Sequence, residues 1–245
     1  MINVLHLYYD ILNLYGENGN VRCINNNLEL SNIKCKIDFK SIHDKIDFSK
    51  YDIVYIGSGD EEELLLCLDD LKRYKDDIKD YIEKDKCLIL TGNSMYMFGK
   101  YIDTLEGKID GLGVFDYYTK YINNPKYKSA SNYRVACESI SSFYGINELI
   151  IGFQNRCGTV MDVKKPLFKT SSRCSNDLDT DGEGYSYKSV YATMNIGPLL
   201  IRNPYFLDYI LSDVCKKKDL KYKVHKNTSE KIAYHKYLEN FKREN

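Results

Sequence analysis

The stretch Leu88-Ile89-Leu90-Thr91-Gly92-Asn93-Ser94-Met95-Tyr96-Met97-Phe98-Gly99 constrains the fold more than any other part of the chain. An apolar strand runs into a glycine, and a helical segment follows with no linker between them. That is the layout of a nucleophile elbow, in which a sharp turn lifts one side chain above the edge of a sheet. Glycine tolerates the dihedrals of such a turn best, and asparagine also tolerates left-handed backbone. Gly92 and Asn93 are therefore expected at its apex.

The surrounding sequence supplies the rest of an α/β pattern. Residues 2–7 read as a buried strand, 20–30 as a helix after a Gly-rich turn, and 35–39 and 53–56 as further strands. Leu64, Leu65, Leu68, Leu71, Ile78 and Ile82 recur at mostly helical spacing, which predicts one helix over 61–83. Residues 87–90 form the strand before the elbow. Alternating strands and helices predict a three-layer, flavodoxin-like α/β fold with a mostly parallel central sheet. Beyond about residue 108, short strand-like runs appear at 128–131, 133–136, 149–153 and 190–193. The Ser-, Asn-, Asp- and Gly-rich stretch 171–184 reads as a mobile surface loop, and 204–215 as a helix. This places one domain over residues 1–215 and a basic helical tail over 216–245. The tail's lysines mix with Tyr222, Tyr234, Tyr237 and Phe241. They make either a solvated terminal helix or a docking surface for an acidic partner or nucleic acid.

Two segments resemble class I glutamine amidotransferases of the CobB/CobQ type, among them the amidotransferase subunit of lipid II isoglutaminyl synthase. They are the elbow, Gly92-Asn93-Ser94-Met95-Tyr96-Met97-Phe98-Gly99, and Asn195-Ile196-Gly197-Pro198-Leu199-Leu200-Ile201-Arg202-Asn203-Pro204. The family reads roughly C-G-G-Y-Q-L-L-G at the first and L-H-G-P-L-L-x-x-N-P at the second. The opening 7–20, the turn Gly57-Ser58-Gly59-Asp60, the segment 111–119 and Gly152-Phe153-Gln154-Asn155-Arg156-Cys157-Gly158 follow the family's order as well. An ungapped match sets Gly92 at the family's cysteine and Ile196 at its histidine; shifting the elbow by one residue substitutes Thr91, again not a thiol.

In that family a thiolate attacks glutamine, a histidine moves the proton, and backbone N–H groups at the elbow and the Gly-rich loop hold the oxyanion. The resemblance thus implies a ligand or oxyanion site at Gly57, Ser58, Gly59 and Asn93, with Arg134 near the family's substrate-carboxylate arginine. Gly92 cannot attack and Ile196 cannot accept a proton. Substitutes in the chain are Thr91 or Ser94 as nucleophile and His6 as base; Cys87 lies too far back along its strand. A plain turn with Asp60 as helix cap is the structural alternative for residues 57–60. Tyr96 suits either a partner interface or packing beneath the 171–184 loop.

Composition narrows the rest. Lys and Arg balance Asp and Glu at 35 each, so no global charge points to nucleic acid. No apolar run is long enough to span a bilayer and none reads as a signal peptide. Eight scattered cysteines without a C-x-x-C pair read as reduced cytoplasmic thiols, not disulfides or a zinc site. Asp179-Thr180-Asp181-Gly182-Glu183 lacks full calcium-ligand spacing and reads as a solvated loop. No metal and no cofactor is called for. Three functions are open. The first is a catalytically degenerate subunit partnering a Mur-ligase-like ATP-dependent amidating enzyme, for a cell-wall precursor or in cobalamin-type chemistry. The second is an active glutaminase with a displaced nucleophile. The third is a non-catalytic sensor of glutamine or another small carboxylate.

Overall fold

The computed structural model describes residues 1–123, 134–170, 172–177 and 179–244. Strands and helices alternate from the start: β1 (Ile2–Leu7), α1 (Asn18–Leu30), β2 (Cys35–Lys40), β3 (Ile53–Ile56), α2 (Glu61–Leu71), α3 (Lys75–Glu83) and β4 (Cys87–Thr91). A 3-10 turn, Gly92–Phe98, follows β4 in place of the expected helix. Then come β5 (Tyr101–Thr104), β6 (Gly107–Asp110), β7 (Tyr118–Tyr121), β8 (Val135–Ser141), β9 (Ile150–Arg156), β10 (Gly158–Met161), β11 (Phe168–Lys169) and β12 (Gly182–Glu183). The chain ends with β13 (Tyr185–Tyr187), β14 (Val190–Thr193), α4 (Leu199–Arg202), α5 (Pro204–Lys217) and α6 (Ser229–Glu244). The strand-like run at 128–131, and Tyr133 of the next, lie outside the described residues.

The central sheet has the order β13-β14-β4-β3-β1-β2. Every neighbouring pair is parallel except β13–β14. Successive side chains of a strand face opposite ways, and both faces here are apolar. Ile53, Tyr55, Cys87 and Ile89 pack with Val21, Ile24, Leu28, Phe206, Leu207 and Ile210. Val54, Ile56, Leu88 and Leu90 pack with Leu64, Cys67, Leu68, Leu71, Ile78 and Ile82. A sheet buried on both sides needs helices on both sides, which is the expected three-layer α/β arrangement. The second sheet, order β10-β7-β5-β6, and the β8–β9 hairpin carry the later strands.

Three local expectations change. The helix expected over 61–83 is broken at Lys72–Tyr74 by a 3-10 turn. There the Tyr74 hydroxyl donates to Asp44 O (2.7 Å) and accepts from Ile46 N (3.1 Å), pinning the chain to the 44–46 loop. The stretch expected to be a mobile loop at 171–184 contains, among its described residues, buried Cys174, Ser175, Asn176 and Glu183. Asn176 fastens it, bonding Gly184 through both ends of its side-chain amide (2.6 and 2.7 Å). The eight cysteines are not all free either: Cys137 and Cys174 are paired, and the other six are unpaired.

Register brings the site together. Thr193 pairs with Thr91, and Ile56 with Leu90, so β14, β4 and β3 end side by side at one sheet edge. The segments that follow them, 194–198, 92–94 and 57–60, must meet there.

At the other end of the chain α6 packs on α4 and α5. Tyr234 is buried and donates to Leu149 O (2.8 Å), and the Arg202 guanidinium lies over the Tyr237 ring. Lys231 Nζ meets Asp208 at 2.6 Å with both side chains almost fully buried, and Tyr222 donates to the same carboxylate. Removing one partner of such a pair leaves a buried charge uncompensated. Lys231→Ala is therefore expected to lower unfolding free energy in urea by about 3 kcal/mol. A loss well under 1 kcal/mol would mean that α6 is not held by this pair.

Candidate functional site

The elbow is present. Thr91 ends β4 in extended conformation and Gly92 turns at φ +62°, a region that glycine enters without strain. What surrounds Gly92 is not an open pocket. A Cβ built on it would lie 2.6 Å from Ser58 Cβ and 2.7 Å from Ile196 Cγ2. Ser58 and Ile196 are both buried. The structure therefore brings Gly92, Ser58 and Ile196 together, and the latter two fill the space that a side chain at 92 would need.

The Gly-rich loop is equally closed. Asn93 Oδ1 accepts from Gly59 N–H (3.2 Å) and Ser58 Oγ (3.1 Å), while Asn93 Nδ2 donates to Gly59 O (2.8 Å). A backbone N–H that would otherwise be available to an oxyanion is satisfied from within the chain. Asp60 does cap α2, in a reciprocal capping box with Glu63. Gly57 is packed against Leu12 O and Glu17, which leaves no room for a larger residue.

The substitutes suggested by sequence are placed as follows. Thr91 is fully buried; its Oγ1 donates to Glu17 Oε2 (2.8 Å) and lies 2.7 Å from the Tyr55 hydroxyl. Ser94 is also fully buried, with Oγ directed at Thr91 O (2.8 Å) and Ile56 O (3.2 Å). His6 sits on β1 against the Tyr55 ring (5.1 Å between centroids), and neither of its ring nitrogens has a hydrogen-bond partner among the described residues. Burial lowers its pKa to about 4, so the ring is neutral; Tyr55 stands between it and Thr91. Cys87 remains at the far end of β4, its thiol pKa raised by burial.

Arg134 is held by a carboxylate of the protein itself. It donates to Glu61 Oε1 (2.7 Å), Asn155 Oδ1 (2.8 Å) and Asn155 O (3.1 Å). Tyr96 is buried, not exposed as an interface residue, and donates to Gly158 O at the start of β10 (3.2 Å). Among the described residues no group of three or more His, Cys, Asp and Glu side chains could hold a metal ion.

Two buried carboxyls were missed by sequence reasoning. Glu17 accepts from Tyr55, Thr91 and Asn20, with the Gly197 backbone also bonded to it; burial raises its pKa. It lies within the opening segment 7–20, where the resemblance marked a motif without marking this residue. Glu183, expected in a solvated loop, is fully buried. It accepts from Thr193 Oγ1 and Met194 N (2.7 Å), immediately before Ile196. Burial pushes its pKa from 4.5 to about 7, against those hydrogen bonds and the Arg156 charge. Alternation about β12 was its only available sequence signal, and a two-residue strand is too short to show it.

Residues 3–201 match the CobB/CobQ-like glutamine amidotransferase domain. The chain belongs to that family. This CobB/CobQ-like protein is 30% identical over 220 residues to the lipid II isoglutaminyl synthase (glutamine-hydrolyzing) subunit GatD of Streptococcus pneumoniae (strain ATCC BAA-255 / R6), covering 89% of this chain and 82% of that one. It is 28% identical over 222 residues to the subunit of the same name from Staphylococcus aureus (strain N315), covering 89% and 86%. A likeness to the glutaminase domain of Trypanosoma brucei CTPS with bound acivicin, at TM-score 0.45 and 8% identity over 94% of this chain and 99% of that one, is too remote to bear on the site.

Two outcomes follow from the packing. Gly92→Cys forces Ser58 and Ile196 apart and strains φ, so it is expected to lower stability by about 1–3 kcal/mol and to yield no glutamine hydrolysis. Denaturation and an ammonia-release assay check both halves. For Glu183, the folded protein keeps a proton between pH 4.5 and about 7 that the unfolded chain has lost. Its contribution to stability is therefore complete below 4.5 and falls as pH rises through 7, by a total on the order of 3 kcal/mol. Glu183→Gln is expected to flatten that part of the stability–pH curve; an unchanged slope would place the titration elsewhere.

Proposed function

We propose that this chain is a non-hydrolysing member of the CobB/CobQ-like glutamine amidotransferase family. In this reading it serves as a subunit beside a Mur-ligase-like, ATP-dependent enzyme that amidates a carboxylate of a cell-wall precursor in the cytoplasm. The observation that carries the non-hydrolysing part is the closure around Gly92. Ser58 and Ile196 occupy the nucleophile's space, and Asn93 takes the Gly59 N–H. Loss of both nucleophile and base forfeits several orders of magnitude in rate. The subunit and cell-wall parts are supported by the two relatives, each named as a subunit of lipid II isoglutaminyl synthase. No comparable support favours the cobalamin-type branch.

One observation favours a second reading. The Thr91 hydroxyl contacts a carboxyl, Glu17, at the place where a displaced nucleophile with a base would stand. The full burial of Thr91 weighs against it, and the same Glu17 oxygen already accepts from Tyr55 and Asn20. A sensor of glutamine or another carboxylate has less support still, since Arg134 already holds Glu61.

Co-expression with a Mur-ligase-like synthetase from the same cell tests the proposal. The expected result is a stable complex that amidates its substrate with ammonium and ATP but not with glutamine. Glutamine-dependent amidation that disappears in Thr91→Val would establish the displaced nucleophile instead. Absence of any complex would remove the subunit role.

A further inference from the structure

Cys137 lies in β8 and Cys174 in the 3-10 turn Ser172–Cys174, 37 residues apart in sequence. Their Cα atoms are 6.2 Å apart, within the span of a disulfide. With Ile122 and Val135 they form a small apolar cluster separate from the two large clusters that hold the sheet. Opening this pair therefore leaves the main core packing untouched. We propose that Cys137 and Cys174 are a reversible thiol–disulfide modification site that clamps residues 172–177 over the buried Arg156.

The segment has a task that the clamp would control. Cys174 O accepts from Gln154 Nε2 (2.8 Å), and Ser175 O accepts from Arg156 Nη2 (2.6 Å). Arg156 is buried; its described hydrogen bonds go to Gln154 Oε1, Gly158 O and Ser175 O, none of them a carboxylate. A buried guanidinium depends on such acceptors. The clamp keeps one of them in place. The two cysteines also differ in access: Cys137 is 9% exposed and Cys174 only 1%.

Access sets the order of events. With a small-molecule disulfide such as oxidised glutathione as oxidant, the Cys137 thiol loses its proton and attacks one sulfur. The oxidant's S–S bond breaks, one glutathione thiolate leaves, and a mixed disulfide remains on Cys137. Cys174 then loses its proton, attacks Cys137 Sγ and expels the second glutathione. The protein pair gives up two electrons and two protons, and the oxidant becomes two thiols. Excess reduced glutathione runs the sequence backwards.

The full-length chain is equilibrated in glutathione buffers of graded reduced-to-oxidised ratio, acid-quenched, denatured and alkylated for mass spectrometry. Alkylated thiols are expected to fall from eight to six as the buffer becomes oxidising, with a Cys137–Cys174 cross-linked peptide appearing. Amide hydrogen exchange over 172–177 is expected to slow by about tenfold or more in the oxidised form. Cys174→Ser should trap glutathione on Cys137, and its exchange over 172–177 should be fast at every ratio. Eight alkylated thiols at every ratio, or exchange in 172–177 that ignores the redox state, would overturn the proposal. If Cys174→Ser does not fold, the wild-type titration alone decides. None of these readouts involves glutamine or a partner, so the outcome is independent of the function proposed above.

Discussion

A carboxyl group removed from water ties together the segments around the elbow. Glu17 precedes α1 and receives hydrogen bonds from Tyr55 on β3, Thr91 on β4 and Asn20 in α1, with the Gly197 backbone beside it. Asn20 in turn accepts from Leu200 N in α4 (2.7 Å). Each of these groups would be costly to bury alone, and the donors converge on one carboxyl oxygen, Glu17 Oε2. The strand ends and the loops after them consequently have one mutual arrangement. Burial raises the Glu17 pKa, against the hydrogen bonds from Tyr55, Thr91, the Gly197 backbone and Asn20, which favour its charged form.

The closure of the elbow depends on that arrangement. Once β3, β4 and the 197 turn are fixed, the space above Gly92 is shared between Ser58 and Ile196. A family with a cysteine here needs the same turn but a different lining. Here a glycine at φ +62° keeps the turn of the backbone while Ser58 and Ile196 fill its surroundings. Asn93 completes this by bonding the loop through both ends of its amide, so that loop 57–60 and the elbow behave as one piece. The turn is a backbone requirement, whereas catalysis depends on side chains, so the one does not determine the other.

A second polar layer lies behind Ile196. Arg156 contacts Gln154, Gln154 approaches Asn195 (3.5 Å), and Asn195 approaches Glu183 (3.5 Å). Amides thus separate a buried cation from a buried acid. The arrangement lets both ends stay inside the protein without direct ion pairing, and it anchors the backbone just before residue 196.

Much of the architecture was legible in the residues alone. Continuous apolar runs at 53–56 and 87–90, helical spacing from Leu64, and Pro204 at a helix start follow from local sterics and periodicity, and the strands and helices formed there. So did the turn at Gly92, because glycine is what such dihedrals favour. Identity of the residues at 92 and 196 was likewise plain from sequence. What fills the space between them was not. Ser58 and Ile196 are separated in the chain by most of the fold, and only the parallel register of β3, β4 and β14 makes them neighbours. The burial of Glu17 and Glu183, the pairing of Arg134 with Glu61 and of Cys137 with Cys174, and the docking of α6 have the same origin. Each joins residues distant in sequence, and its energy depends on which groups lose water together, a property of the packed molecule and not of any segment of it.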